Sequence, residues 1–258
     1  MCLELVRCLD CDLVYAPEPL GETELAALYG AAGYDSGEEG DLAAQTYGLA
    51  LAPHLRHLKG RNCACEVGAG NGAFLPWLVK QGFAEVIGIE PSSCAIEAAA
   101  PAIRPLLQEG MFDAKILSGK QLSLLCSFMT LEHLRDPGKF VAQAFDLLEP
   151  GGMLAVVVHD WKAWPNRLLG LRSPIIDIEH MQLFCRKALN TMLGNAGFEN
   201  IGMESIKNRY ALRYWLRLLP LPSPLRSVPG NILDFLGLSE RVLGLNVGNL
   251  LGVAFKPN

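Results

Sequence analysis

Short apolar runs alternate with stretches of helical periodicity along most of the chain after residue 60. The apolar runs, typical of buried strands, lie at residues 63–67, 85–90, 122–129 and 153–159, with a weaker run at 103–108. Helical patterns separate them at residues 73–82, 92–100 and 136–152. This order predicts a doubly wound parallel α/β sheet whose ligand lies at the carboxyl ends of the strands.

The two ends of the chain depart from this alternation. Residues 1–60 predict an N-terminal appendage with a cysteine-bearing hairpin, a short helix near 22–30, a loop at 33–41 and a helix at 42–59. A helix at 186–198 and strands at 199–208 and 249–256 complete the pattern. We therefore divide the chain into the appendage, a core of residues 61–207 and 249–258, and a helical insertion at 208–248.

Composition narrows the class of protein. Half of the 258 residues are hydrophobic and 19% are charged, which indicates a well-buried globular protein rather than a disordered one. The net charge of -5 gives no general attraction to nucleic acid. The first residues do not resemble a secretory signal, no run is long enough to span a membrane, and the eight cysteines are scattered. These features predict a cytoplasmic protein.

The loop after the first core strand fits two cofactor motifs. Read from Gly68 it matches G-x-G-x-x-A, which binds dinucleotides, and read from Glu66 it matches the acidic G-x-G-x-G loop that binds S-adenosylmethionine. Glu90, at the end of the next strand, serves both because a carboxylate there can accept hydrogen bonds from ribose hydroxyls. Glu66 separates them, since a carboxylate suits the α-ammonium of S-adenosylmethionine and would repel a pyrophosphate. A Glu66 that caps the loop or faces water is the alternative.

The segments "EVGAGNG", "VIGIEPSSCAIEAA", "TLEHLRDPGKF", "LLEPGGMLAVVV", "EHMQLF" and "NAGF" occur in an order that resembles the class I S-adenosylmethionine-dependent methyltransferases. The resemblance is closest to the bacterial small-molecule branch related to the ubiquinone-biosynthesis O-methyltransferases, and it covers about residues 45–205. It implies a Rossmann-like seven-stranded sheet and methyl transfer from S-adenosylmethionine, with S-adenosylhomocysteine as product, to a small-molecule acceptor. A non-catalytic cofactor-binding subunit and an NAD-dependent oxidoreductase remain as alternatives.

The resemblance also implies which residues contact the cofactor. The glycine loop would surround the methionine and ribose groups, Glu90 would bind the ribose, and Pro91, Met111 and Phe112 would lie beside the adenine. Phe128, Met129 and Thr130 would pass the methionine moiety. The loop residues implied are Glu66, Gly68, Ala69, Gly70 and Gly72.

One departure from the quinone branch concerns metal binding. Relatives carry Glu-x-x-Glu-His and can hold a divalent cation there, whereas Met129 replaces the first glutamate. A thioether is a poor ligand for Mg²⁺, which prefers oxygen. We therefore predict that transfer requires no metal.

Three histidines and one glutamate are candidates for catalysis. His133, with Glu132, follows a strand end beside the cofactor, and histidine titrates near neutrality. His180 lies in a loop that relatives fold over the substrate, and His159 ends the fifth strand. A local structural hydrogen bond is an equally good interpretation of His133.

Two further segments carry hypotheses outside the core. Cys8 and Cys11 resemble half of a zinc ribbon, but the other ligand pair is absent, so a relic hairpin is the simpler interpretation.

At 208–226, Arg209, Arg213 and Arg217 recur along one face of a predicted helix with Trp215 on another. Such a helix would form a lid over the acceptor and would contact an anionic membrane surface, or it would simply pack on the protein.

Overall fold

A computed structural model describes residues 4–19, 21, 37–117, 119–217 and 236–258. Its centre is a seven-stranded sheet made of β3 (Cys63–Val67), β4 (Glu85–Glu90), β5 (Leu107–Glu109), β6 (Leu122–Phe128), β7 (Leu148–His159), β9 (Glu199–Ala211) and β10 (Val242–Phe255). The strands lie in the order β5-β4-β3-β6-β7-β10-β9. The first five of these are parallel, and β10 runs antiparallel between β7 and β9.

Helices cover both faces of this sheet. They are α1 (Gly37–Leu51), α2 (Leu75–Lys80), α3 (Ser93–Ala98), α4 (Pro137–Leu147), α5 (Trp164–Leu169), α6 (Arg186–Asn195) and α7 (Leu212–Arg217). Two clusters of buried apolar side chains result, one on each face. The strands β3 and β6 are buried at every position, which explains why their sequences are mostly apolar.

The chain order of the strands reverses between β3 and β6. From β3 the sheet runs through β4 to β5 on one side and through β6 to β7 on the other. Loops leave the two central strands in opposite directions at such a point and open a crevice at the carboxyl ends. The fold therefore places a ligand site where the glycine loop follows β3.

The hairpin predicted near the cysteines is present, and it pairs with a further strand that the sequence did not indicate. β1 (Val6–Arg7) pairs antiparallel with β2 (Val14–Tyr15), and β2 pairs with β8 (Gln182–Leu183). The indole nitrogen of Trp161 donates a hydrogen bond to the carbonyl of Asp12 at 3.1 Å. The hairpin is therefore fixed against the segments that follow β7.

The helix expected from residue 208 onward is wrong where the structure describes it. Residues 208–211 continue β9 and residues 242–248 begin β10, so that Tyr210 pairs with Leu243. Backbone groups of these residues bond across the hairpin, and side chains alternate in burial, with Asn208 buried and Arg209 exposed. Only Leu212–Arg217 is helical, so the three arginines share no helical face. The helix near 22–30 and the insertion at 218–235 lie outside the described residues, and the division into domains stays a prediction.

Candidate active site

The loop after β3 is held against β4 by its own backbone. The amides of Gly68 and Ala69 both donate to the carbonyl of Ile89, at 2.9 and 3.1 Å. Gly68 has φ +76, and a Cβ there would lie 2.3 Å from Oγ1 of Thr130. Glycine is therefore required at this position both for its conformation and for its close approach to the segment after β6.

A pocket of about 450 Å³ opens between this loop, α1 and the ends of β4 and β6. Of the residues expected to contact a cofactor, all but Gly72 line it. They are Glu66, Gly68, Ala69, Gly70, Glu90, Pro91, Met111, Phe112, Phe128, Met129 and Thr130. Gly72 instead allows close packing, because a Cβ there would lie 2.6 Å from Cγ2 of Ile103.

Glu66 is a buried carboxyl group on the pocket wall. Its Oε2 atom has no hydrogen-bond partner among the described residues. Burial, followed by the nearby charge of Glu90, raises the pKa of Glu66 well above its usual value. A buried polar atom without a partner is costly, so this oxygen marks a place where a cationic or donor group is missing.

Glu90 is a second buried carboxyl group, and backbone donors hold it in place. Its Oε2 accepts from the amide of Gly70 and its Oε1 from the amide of Ser92, both at 2.8 Å. Burial raises the pKa of Glu90, and these two hydrogen bonds oppose the rise. Each carboxylate oxygen can accept a further hydrogen bond, so a bound hydroxyl group can still be recognised.

Apolar side chains form the rest of the wall. Phe128 packs against Tyr47 of α1 and Phe74, with ring centroids 4.7 and 4.8 Å apart. Phe112 packs against Phe140 of α4 at 5.1 Å. Met129 adopts φ +55, which is unusual for a residue with a side chain, and its amide donates to the carbonyl of Val157. A flat apolar ligand such as an adenine ring fits between such side chains.

His133 lies at the edge of the pocket, in a turn of 3₁₀ helix (Leu131–His133) after β6. Its Nδ1 is 3.1 Å from the carbonyl oxygen of Glu179, which can only accept, so Nδ1 carries the proton and donates it. Burial, followed by repulsion from His180, lowers the pKa of His133 below 6.5. The imidazole is therefore neutral at pH 7, with Nε2 as its basic nitrogen.

The other three catalytic candidates form a cluster behind His133, outside the pocket. The ring of His180 lies 4.7 Å from that of His133 and 5.4 Å from that of His159. Oε1 of the fully buried Glu132 accepts from the amide of His159 at 2.7 Å and lies 3.2 Å from its Nδ1. Burial would raise the pKa of Glu132, but the contacts with His159 outweigh burial and lower it.

Several pocket residues escaped the sequence analysis. Tyr47, Ala43 and Ala44 come from α1, in the segment interpreted as an appendage, and Glu179 comes from the loop before β8. The three α1 residues are spaced as on one face of a helix. That spacing indicates a helical face in the sequence, but it does not indicate which part of the protein the face contacts. Contact of α1 with the pocket depends on tertiary packing, so the local sequence does not indicate it.

Metal ligands do not converge in the part of the chain that the structure describes. Within it, no three side chains of His, Cys, Asp or Glu are placed to hold an ion. Cys8 and Cys11 are both present as free thiols in the hairpin. The zinc hypothesis for these cysteines and the metal-free hypothesis for transfer both stay predictions.

Comparison with known proteins gives the family. The sequence matches the methyltransferase domain family over residues 42–202. It is 25% identical over 128 residues to a ubiquinone biosynthesis O-methyltransferase of Rhodopseudomonas palustris (strain BisB18), a match that covers 45% of this chain and 49% of the relative. The chain thus spans about half the length of that curated relative.

Several solved structures with a similar fold are methyltransferases. A SAM dependent methyltransferase from Archaeoglobus fulgidus has a TM-score of 0.56 at 16% identity, covering 83% of this chain and 94% of that chain. A magnesium protoporphyrin IX methyltransferase from Synechocystis PCC 6803, solved with bound SAH, has a TM-score of 0.57 at 13% identity and covers 92% and 100%. The chain therefore belongs to the methyltransferase domain family, and its fold is that of the class I S-adenosylmethionine-dependent methyltransferases.

S-adenosylmethionine is the cofactor that this family implies, and the residues present fit it. The unpartnered Oε2 of Glu66 matches an ammonium group, and the carboxylate of Glu90 has acceptor capacity for hydroxyl groups. The apolar side chains of Met111 and Phe112 match a ring system at the other side of Glu90. A dinucleotide would instead place phosphates beside an uncompensated buried carboxyl group.

Proposed function

We propose that the protein transfers a methyl group from S-adenosylmethionine to a small-molecule acceptor bound between the cofactor and His133. The observation that carries the proposal is that one pocket holds both the Glu66 carboxyl group, whose Oε2 has no partner among the described residues, and a histidine whose Nδ1 is held by the carbonyl of Glu179. The first is a recognition site for a cation, and the second is a base. Both lie at the carboxyl ends of the central strands, where the fold directs ligands.

Each wall of the pocket has a role in holding the cofactor. Glu66 holds the α-ammonium group, Glu90 holds the ribose hydroxyls, and Met111 and Phe112 enclose the adenine with Pro91. The glycine loop with Ala69 and the segment Phe128–Thr130 lie along the methionine moiety. When bound, the cofactor supplies a methyl group already activated by its sulfonium, so the protein's main task is orientation.

His133 is the general base in this proposal. Its Nδ1–H is held by the carbonyl of Glu179, which turns Nε2 into the proton acceptor for a hydroxyl or amine of the acceptor. His180 and the Glu132–His159 pair act through His133. They pack behind its ring and fix the end of β7 to the turn after β6.

The acceptor class follows from the lining and from the relative. Tyr47, Phe128 and Met129 give an apolar surface beside His133, and the curated relative is named as an O-methyltransferase of ubiquinone biosynthesis. We propose an apolar acceptor whose oxygen is methylated. The aromatic rings of Tyr210, Tyr214 and Trp215 cluster at the end of β9 and in α7, and in this proposal they cover the acceptor.

Cofactor binding tests the proposal directly. S-adenosylhomocysteine at about a hundred times its dissociation constant should stabilise the protein by about 2.7 kcal/mol and raise its melting temperature. NADH at the same concentration should leave the melting temperature unchanged. Stabilisation by NADH alone would refute methyl transfer. Stabilisation by S-adenosylhomocysteine without turnover on any phenolic acceptor would favour the non-catalytic alternative.

A further inference from the structure

The segment after β7 turns its apolar side outward. Trp164, Leu168 and Leu171, spaced by four and three residues, are 70%, 76% and 86% exposed. Two uncharged polar side chains of the same segment are buried instead: Asn166 donates to the carbonyl of Asp160 at 2.8 Å and accepts from Ser173 at 2.9 Å. This reverses the usual orientation of an amphipathic helix. We call the outward side, Trp164, Leu168 and Leu171 with Arg167 and Arg172, the α5 face.

The buried side of α5 packs on a neighbouring strand. A Cβ at Gly248 of β10 would lie 2.6 Å from Nδ2 of Asn166, so the two elements touch. The first half of β10 also exposes apolar side chains, at Val242, Leu243 and Leu245. Large apolar side chains that are exposed as a group within one segment, rather than singly, mark an interaction surface.

The charges of the α5 face identify its partner. Residues 161–176 contain three basic residues and no acidic one, in a protein with a net charge of -5. Arg167 and Arg172 are exposed, and neither pairs with a carboxylate of the described residues. A tryptophan, leucines and arginines on α5 and on the 3₁₀ turn that follows it (Gly170–Arg172) match the boundary between lipid headgroups and acyl chains. Phosphate groups there would compensate the arginines while the leucines leave water.

A second copy of the chain fits the same surface less well. A symmetric dimer would bring each α5 face against itself, because a two-fold interface uses the same patch on both subunits. The arginines of one copy would then approach those of the other without a nearby carboxylate. Like charges in a desolvated interface are destabilising.

We propose that the α5 face docks on an anionic lipid bilayer. The contact is peripheral, and no helix in the described parts of the chain is long and apolar enough to cross a membrane. From Ser173 the chain leads within a few residues to Glu179 and His180, which contact His133. Docking therefore places the mouth of the proposed acceptor site at the bilayer surface. That last consequence rests on the proposed function, whereas docking itself does not.

Vesicle binding by the full chain, without cofactor or acceptor, tests the proposal. Vesicles of equal parts phosphatidylglycerol and phosphatidylcholine should bind the protein at low salt about tenfold more tightly than vesicles of phosphatidylcholine alone. Replacing Trp164, Leu168 and Leu171 together by Gln should weaken this binding by about tenfold or more. The matched control is Val79→Gln, which changes a 51% exposed side chain on α2, beside β4 and away from β10. It should bind as the unchanged protein does.

Two further measurements keep the outcomes separate. All three replaced side chains are exposed, so the triple variant should keep its melting temperature and its stabilisation by S-adenosylhomocysteine. Equal binding of the triple variant and the unchanged protein to anionic vesicles, or equal binding of the protein to both vesicle types, overturns the proposal. So does a dimer in solution that the triple variant converts to a monomer. None of these results bears on cofactor binding, so failure of the docking proposal leaves the proposed methyl transfer to be tested separately.

Discussion

Replacement of Glu66 by Gln isolates the charge of the buried carboxyl group from its shape. The two side chains have nearly the same size, so the packing around residue 66 is kept. The variant retains an amide oxygen that can accept one hydrogen bond from an ammonium group, but it loses the charge. A hydrogen bond to a charged partner contributes roughly 1.5–3 kcal/mol and a neutral one roughly 0.5–1.5. The difference of about 1.4 kcal/mol predicts about tenfold weaker binding of S-adenosylhomocysteine.

The same change should stabilise the protein when no cofactor is bound. Burial and Glu90 raise the pKa of Glu66, so the folded protein holds this proton more tightly than the unfolded chain. The contribution of Glu66 to stability is fully present below its unfolded pKa and is lost as the pH rises through the raised folded pKa. The amide of the Glu66→Gln variant does not titrate, so the variant should melt higher than the unchanged protein at neutral pH and lose less stability between acidic and neutral pH.

Calorimetry can follow both effects with one control. An ammonium group lowers the pKa of Glu66, so binding of S-adenosylhomocysteine should release protons in the unchanged protein and fewer in Glu66→Gln. Titrations in buffers of different ionisation enthalpy measure this difference. Glu97→Gln makes the same substitution on the exposed side of α3 and should change neither affinity nor proton release. Unchanged affinity in Glu66→Gln would refute the assignment of residue 66 to the cofactor.

Four other outcomes follow from the site. His133→Gln should lower kcat by roughly 10²–10⁴-fold, with the affinity for S-adenosylhomocysteine unchanged. In the unchanged protein kcat/KM should fall as the pH drops through the pKa of His133, below 6.5, and a profile without that limb would exclude His133 as the base. Glu132→Gln keeps a neutral acceptor for the amide of His159 and should therefore cost about 1–1.5 kcal/mol in urea unfolding at pH 7, and the difference should shrink as the pH falls through the lowered pKa of Glu132. Turnover should survive a chelator, and rescue of a chelated enzyme by Mg²⁺ would contradict the interpretation of Met129.

The core of the fold could be predicted because its signals are local. β3 and β6 are buried on both faces, and a strand in that setting must be apolar throughout. The cap of α3 is local as well, since Ser92 accepts from the amide of Ala95 three residues on. Glu66 was identified as a candidate cofactor residue because its carboxylate interrupts an otherwise apolar strand.

Other features depend on contacts that the sequence does not contain. The stretch from Asn208 to Trp215 has helical spacing, yet its first residues pair with β10 because that strand offers backbone partners at the sheet edge. Trp164, Leu168 and Leu171 also have helical spacing, which would predict a buried face. Because Asn166 bonds to Asp160 and Ser173, the side of α5 that carries Asn166 faces the protein and the apolar side faces solvent.

The sequence by itself determined the order of strands and helices, the glycine loop after β3 and the carboxyl groups near the ends of β3 and β4. Each of these follows from the apolar periodicity or from residues close together in the chain. Only the tertiary structure decided that α1 closes the pocket through Tyr47 and that His133, His180 and His159 meet in one cluster. Their positions are up to 133 residues apart, from Tyr47 to His180, and only the packing of helices and loops against the sheet brings them together.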